Sequence, residues 1–270
     1  DAASINKTGV LGMNRTNTLH LVPSLGARRA GDAYVLTRKF IDGVTEYVKR
    51  WPGQVVVSMQ DRDGVRNLDE IEIAPNDLPC EFRRLPDDPS SMAESIGGAR
   101  LVLCSLVARL THVPALCQAM GMPYVFVAEY SFRTRRQIID AETHSIARRL
   151  RRYWYDYRAE LRFREAIREA RGIQCNGTPT YESYADCNDN RLLYFDTRVR
   201  QEMLADEAAL ERRLNQMTSW GPLRLAFSGR LAAMKGADHL LDVAHELDRL
   251  GVDYTMSIFG DGPLKKSMVC

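Results

Sequence analysis

Residues 223–247 read LRLAFSGRLAAMKGADHLLDVAHEL, and residues 254–266 continue as YTMSIFGDGPLKK. An apolar run ends in a loop bracketed by Gly229 and Gly236. Ala237, Leu240, Leu241, Ala244 and Leu247 then recur at helical spacing, and a second apolar run stops at Gly260-Asp261-Gly262-Pro263. A strand, loop, helix and strand in this order lay the helix on a parallel sheet and put both loops at the carboxyl ends of the strands, where open α/β sheets bind ligands. The first loop carries Arg230 and Lys235. Two cations next to a helix N-terminus suit an anion, and their spacing suits a diphosphate. Gly229 gives the turn and lets a ligand approach the backbone. The spacing fits neither G-x-x-x-x-G-K-[ST] nor G-x-G-x-x-G. Isolated surface cations are usually only solvated, but the second glycine loop on the next strand favours a shared ligand.

Upstream, the same alternation repeats. Leu19 to Pro23, Gln54 to Met59, Leu68 to Ile73, Cys80 to Leu85, Arg100 to Ser105, Pro123 to Glu129, Gly172 to Asn176 and Leu192 to Phe195 read as strands. Helices are expected over about Tyr34 to Arg50, Val113 to Met120, parts of Arg133 to Arg171, and Thr197 to Met217. Continuous apolar strands alternating with helices argue for a parallel sheet covered on both faces. The expected organisation is a leader at 1–12, a Rossmann-type α/β domain at 13–220, and the first βαβ part of a second Rossmann-type domain at 221–270. The Trp220-Gly221-Pro222 step marks the boundary.

The paired motifs resemble the opening of the donor-binding domain of retaining GT-B glycosyltransferases, family 4, which show G-R-x-x-x-x-K-G after one strand and G-x-G-P after the next. The resemblance implies a GT-B fold and a nucleotide-sugar donor held by Gly229, Arg230, Lys235, Gly260, Gly262 and Pro263. It implies that Arg230 and Lys235 stabilise the departing nucleotide electrostatically, with no metal and no further cofactor. More weakly, Leu19 to Gly31 resembles the first strand and acceptor loop, placing a glycan or lipid-linked acceptor near Gly26, Gly31 and Asp32. Many relatives have a histidine where this chain has Glu129. Glu129 is then expected to position a sugar hydroxyl or to stabilise positive charge at the anomeric carbon; the other reading is a strand-end carboxylate bonded to nearby backbone. Relatives continue past the G-x-G-P loop to a glutamate pair that binds the donor. The expectation is therefore an acceptor domain plus only the start of a donor domain. A GT-B epimerase, a phosphorylase or a non-catalytic binding module are the competing readings.

The rest of the sequence mainly excludes. A formal charge of +2 over 270 residues, with 27% charged residues, describes an ordinary globular protein and no nucleic-acid binder. Six cysteines without a C-x-x-C pair read as reduced thiols, in keeping with a cytoplasmic setting. Asn176-Gly177-Thr178 matches a glycosylation sequon but reads as a turn. Asp61-Arg62-Asp63 is a D-x-D followed by glycine, which fits a surface turn better than a metal site, and the five histidines lack metal-ligand spacing. Between Arg148 and Arg168, arginines interleave with Tyr153, Trp154, Tyr155 and Tyr157. That segment reads either as a salt-bridged solvated helix or as a peripheral contact with the inner face of an anionic membrane.

Overall fold

The computed structural model describes residues 16–61, 69–197, 199, 201–218 and 221–268. The expected leader at 1–12, Asp63 of the D-x-D, Trp220 and Cys270 lie outside them. The described residues divide into two compact units, 16–133 with 155–196 and 134–154 with 197–268.

The chain runs β1 (Thr18–Val22), β2 (Arg28–Ala30), β3 (Ala33–Thr37), α1 (Arg38–Arg50), β4 (Gln54–Met59), β5 (Glu70–Ile73), β6 (Glu81–Arg84), α2 (Pro89–Ile96), β7 (Leu101–Ser105), α3 (His112–Ala119) and β8 (Tyr124–Ala128). It continues through α4 (Phe132–Glu142), α5 (Ile146–Glu169), β9 (Gly172–Asn176), α6 (Thr178–Ser183) and β10 (Arg191–Tyr194). Seven strands form one parallel sheet in the order β10-β9-β8-β7-β1-β4-β6. The chain winds one way from β1 through β4 to β6, and the other way from β7 to β10. The strand order therefore reverses between β1 and β7, whose register pairs Leu21 with Leu103. A crevice opens at such a switch point.

Both faces of this sheet are covered, which is why its central strands β1, β4, β7 and β8 are largely apolar, whereas the edge strand β6 reads Glu-Phe-Arg-Arg. Leu19 and Leu21 of β1 pack with Val55, Val57 and the α1 residue Val44. Val22 points to the other face, where Met92, Ile96, Phe163 and Ile167 from α2 and α5 gather. Val22 and Val57 are fully buried, each contributing roughly 1.5–3 kcal/mol of burial free energy.

The region after β1 departs from the expected pattern. The helix expected from Tyr34 begins at Arg38, because Ala33–Thr37 is instead a strand. Gly31, at φ +60°, and Asp32 form a two-residue turn that folds β3 back on β2, and β5 pairs antiparallel with β3. Ala33-Tyr34-Val35-Leu36-Thr37 is rich in β-branched and aromatic side chains, so the turn and the local preference agree. Thr37 then caps α1, its hydroxyl accepting from the Phe40 N–H at 3.2 Å.

In the second unit, α7 (Glu207–Thr218) is preceded by a short 3-10 turn at Gln201–Met203, so the helix expected over Thr197–Met217 is shorter. β11 (Leu223–Ser228) and β12 (Tyr254–Phe259) pair in parallel, and α8 (Leu240–Arg249) connects them. Both strands are largely exposed: Leu223 is 44% and Phe259 61% accessible. Leu231 and Ala237 are buried. The Tyr254 hydroxyl donates to the Ala244 carbonyl of α8 at 3.1 Å.

Candidate active site

The first unit holds a cleft of about 340 Å³ at the switch point. Its lining comes from the ends of β1 and β7, the strand-end residues Val127 and Glu129, one face of α1, and Asp196 beyond β10. Apolar side chains dominate, among them Leu21, Leu25, Phe40, Val44, Tyr47 and Leu103. The polar groups are few, as in most small-molecule sites.

Those polar groups form a chain. Asn176, at the end of β9, donates from Nδ2 to Glu129 Oε2 at 2.8 Å. Its Oδ1 accepts from the backbone N–H of Asp196 at 3.2 Å. The Asp196 carboxylate in turn forms an ion pair with Lys39 of α1. Nearby, the Ser24 N–H donates to Ser105 Oγ at 2.9 Å, joining the ends of β1 and β7. The Tyr194 phenol is pushed up first by burial and then by the Glu129 and Asp196 carboxylates. Burial also raises Tyr47, while its hydrogen bond to Gln174 opposes that shift. The cleft thus pairs an apolar body with one ion pair and one carboxylate, Glu129, whose partner among the described residues is Asn176.

Glu129 is therefore a cleft residue, and its hydrogen bond goes to a side chain rather than to backbone. Gly26 follows the last lining residue of that segment, Leu25. Gly31 and Asp32 sit exposed at the β2–β3 turn, outside the lining. Sequence reasoning missed Lys39, Asn176 and Asp196. Lys39 and Asp196 are 157 residues apart and meet only through the strand order.

The second unit carries the two glycine loops, and they are hydrogen-bonded to each other. The Gly229 N–H donates to the Phe259 carbonyl at 3.0 Å, Leu231 N–H to Asp261 at 2.9 Å, and Leu264 N–H back to Leu231 at 3.0 Å. A Cβ on Gly260 would lie 1.9 Å from the Gly229 carbonyl oxygen, and one on Gly262 2.4 Å from that of Leu231. Both glycines are thus required by the close approach of the neighbouring loop, independently of any ligand. Arg230 and Lys235 are exposed on this joined pair. The helix expected directly after Gly236 starts later: Gly236 is left-handed at φ +70°, a 3-10 turn spans Ala237–His239, and α8 begins at Leu240. Pro263 is exposed beside Gly262.

Among the described residues, no group of three or more His, Cys, Asp and Glu side chains is placed to hold a metal ion. Asp61 of the D-x-D instead pairs with Arg84 at 3.1 Å. Cys104, Cys117, Cys175 and Cys187 are buried free thiols. No helix among the described residues is long and apolar enough to cross a membrane.

No protein-family model matches the sequence, and no curated protein is significantly similar to it. Solved structures do match. Anabaena HepE in complex with UDP superposes with a TM-score of 0.51, at 10% identity, over 90% of this chain and 69% of that one. The same protein with UDP and glucose gives 0.50, at 10% identity, over 92% and 70%. At such identities the likeness is one of fold. The chain has the α/β, Rossmann-like fold of GT-B glycosyltransferases.

Proposed function

We propose that the chain carries acceptor-side and donor-side parts of a retaining glycosyltransferase of the family 4 type. It moves a sugar from a nucleotide-sugar to a glycan or lipid-linked acceptor. The observation that carries this reading is the joined pair of loops at the ends of β11 and β12, with Arg230 and Lys235 exposed on it. HepE, whose fold the chain shares, is seen with UDP.

In this reading Arg230 and Lys235 hold the diphosphate, with Gly229, Gly260, Gly262 and Pro263 shaping the backbone around it. The bond from the anomeric carbon to the diphosphate breaks, and a bond to the acceptor oxygen forms. The nucleoside diphosphate leaves and takes up the acceptor's proton. Positive charge near the departing oxygens acts most strongly in the transition state. In the same reading the acceptor occupies the cleft of the first unit, which Ser24, Leu25 and Glu129 line, with Gly26 next to Leu25. There the carboxylate positions a sugar hydroxyl or stabilises charge at the anomeric carbon. No metal or other cofactor is assigned a role. The test is a transfer and hydrolysis assay with UDP-, GDP- and ADP-sugars. Arg230→Ala and Lys235→Ala are each expected to lower kcat/KM by about 100-fold or more. Unchanged turnover in both variants overturns their roles, and turnover that requires inorganic phosphate makes the protein a phosphorylase.

A peripheral membrane contact along α5 belongs to the same proposal. Ile146, Leu150, Trp154, Tyr157 and Leu161 recur every three or four residues on that helix, and each is more than half exposed. Arg148 and Arg162 are exposed on the same helix. Arg149 and Arg152 lean instead on Asp140 and Glu142 of α4. Apolar side chains beside cations suit an anionic lipid surface. Sedimentation with anionic vesicles is expected to carry the protein down, and Leu150→Glu with Arg148→Glu to release it; no sedimentation, or none lost in the variant, removes this contact.

A further inference from the structure

We propose that Gly43 sets acceptor specificity: its missing side chain opens the α1 wall of the cleft to the apolar body of a neutral alcohol. The proposal rests on reading the cleft as the acceptor site and, of the two acceptor classes in that reading, favours the lipid-linked one over the glycan, with its apolar body in the cleft.

Gly43 stands inside the thirteen-residue helix α1. Glycine is the poorest helix residue after proline, so an interior glycine calls for a reason. Packing does not supply one, because a Cβ at Gly43 would meet nothing within 4 Å. Its backbone is not left-handed either, since Gly43 is absent from the positive-φ glycines. What distinguishes the position is the cleft. Phe40, Gly43, Val44 and Tyr47 lie at i, i+3, i+4 and i+7, and all four line it. Gly43 is thus the gap in a helical wall whose other lining residues are Lys39, Phe40, Val44 and Tyr47.

The charges narrow the occupant further. Lys39 is paired with Asp196. That leaves Glu129 as the remaining carboxylate of the lining, where acidic side chains outnumber basic ones by one. A phosphate or carboxylate within the cleft would meet Glu129 as a like charge, while Lys39 is already engaged by Asp196. An aromatic or aliphatic body lies against Phe40, Val44 and Leu103, and its hydroxyl points to the Glu129–Asn176 end.

The experiment is equilibrium binding to the 270-residue chain of three probes: 2-naphthol, 2-naphthyl phosphate and methyl glucoside. UDP is titrated separately. Wild type is expected to bind 2-naphthol at least about tenfold more tightly than either of the other two, a preference of the size that burial of one apolar body gives. Gly43→Leu is expected to weaken 2-naphthol binding by about tenfold or more, without lowering the melting temperature and without altering UDP binding. Gly43→Ala, which adds a single methyl, is expected to have a smaller effect in the same direction. Equal binding of 2-naphthol by wild type and Gly43→Leu overturns the role of Gly43. Tighter binding of 2-naphthyl phosphate than of 2-naphthol overturns the neutral acceptor. Intact naphthol selectivity together with no binding of UDP, GDP or ADP leaves Gly43 in place and refutes the glycosyltransferase reading instead.

Discussion

Asn176 uses both ends of its side-chain amide, donating to Glu129 and accepting from the Asp196 N–H. Asn176→Ala removes both bonds and frees the Glu129 carboxylate to turn away from the cleft. The expected result is a fall in kcat of up to about 100-fold, the scale set by misplacing a reacting group, with little change in KM for the nucleotide-sugar. Steady-state kinetics separate the two constants, and a change confined to KM refutes the positioning role. Another residue sets a pH dependence. His20 is buried, with Nε2 2.8 Å from Ser58 Oγ, and desolvation, aided by Arg83, lowers its pKa to about 4. The unfolded chain takes up this proton near pH 6.5 and the native one only near pH 4. Stability is therefore full above pH 6.5 and declines as the pH falls to 4, by about 3 kcal/mol from this group. Urea unfolding of wild type and His20→Gln at pH 7 and pH 4.5 measures it; the difference between the two proteins is expected to shrink or reverse at the lower pH.

Among the elements, α5 is anchored at one point by a buried ion pair. Glu160, nearly inaccessible, lies 3.2 Å from Arg164, which also reaches Asp186 at 2.8 Å and the Ser183 carbonyl at 3.1 Å. Arg164→Ala takes this cation from the buried Glu160 carboxylate, which also accepts from the Tyr184 hydroxyl at 3.3 Å, at a cost of up to about 3–5 kcal/mol, to be read as a lower urea midpoint. The two glycine loops give a second test at this scale. Gly262→Ala drives a methyl against the Leu231 carbonyl and is expected to destabilise the second unit by about 1–3 kcal/mol, seen as faster amide exchange at Leu231 and Leu264. Unchanged exchange there means that the loops are not joined as described. Elements also show what the sequence carried. The β-runs were legible because a sheet covered on both faces demands unbroken apolar stretches such as Val55-Val56-Val57. β3 was misread because Val35 was grouped with the helical residues Phe40 and Val44, although five residues before Phe40 it falls on a different side of a helix. The Gly31-Asp32 turn that makes it a strand is only two residues long.

For the molecule as a whole, the division of the sequence into alternating strands and helices was legible and the assembly of the cleft was not. Arg230 and Lys235 share one loop, so their spacing alone suggested an anion site. Lys39, Glu129 and Asp196 of the lining and the neighbouring Asn176 come from four separate segments, and only the strand order brings them together. Asn176 read as a turn residue because its two hydrogen bonds are made with residues far along the chain or at the end of the next strand. The GT-B fold is carried by structural likeness at 10% identity, without any family model that matches. In the proposed glycosyltransferase, the joined loops of the second unit hold a nucleoside diphosphate. Calorimetric titration of UDP, GDP and ADP into the 270-residue chain tests it most directly. Saturable binding of at least one of them, weakened by about tenfold or more in Arg230→Ala/Lys235→Ala at an unchanged melting temperature, is the predicted result. Binding of none of the three, or equal binding by the double variant, contradicts it.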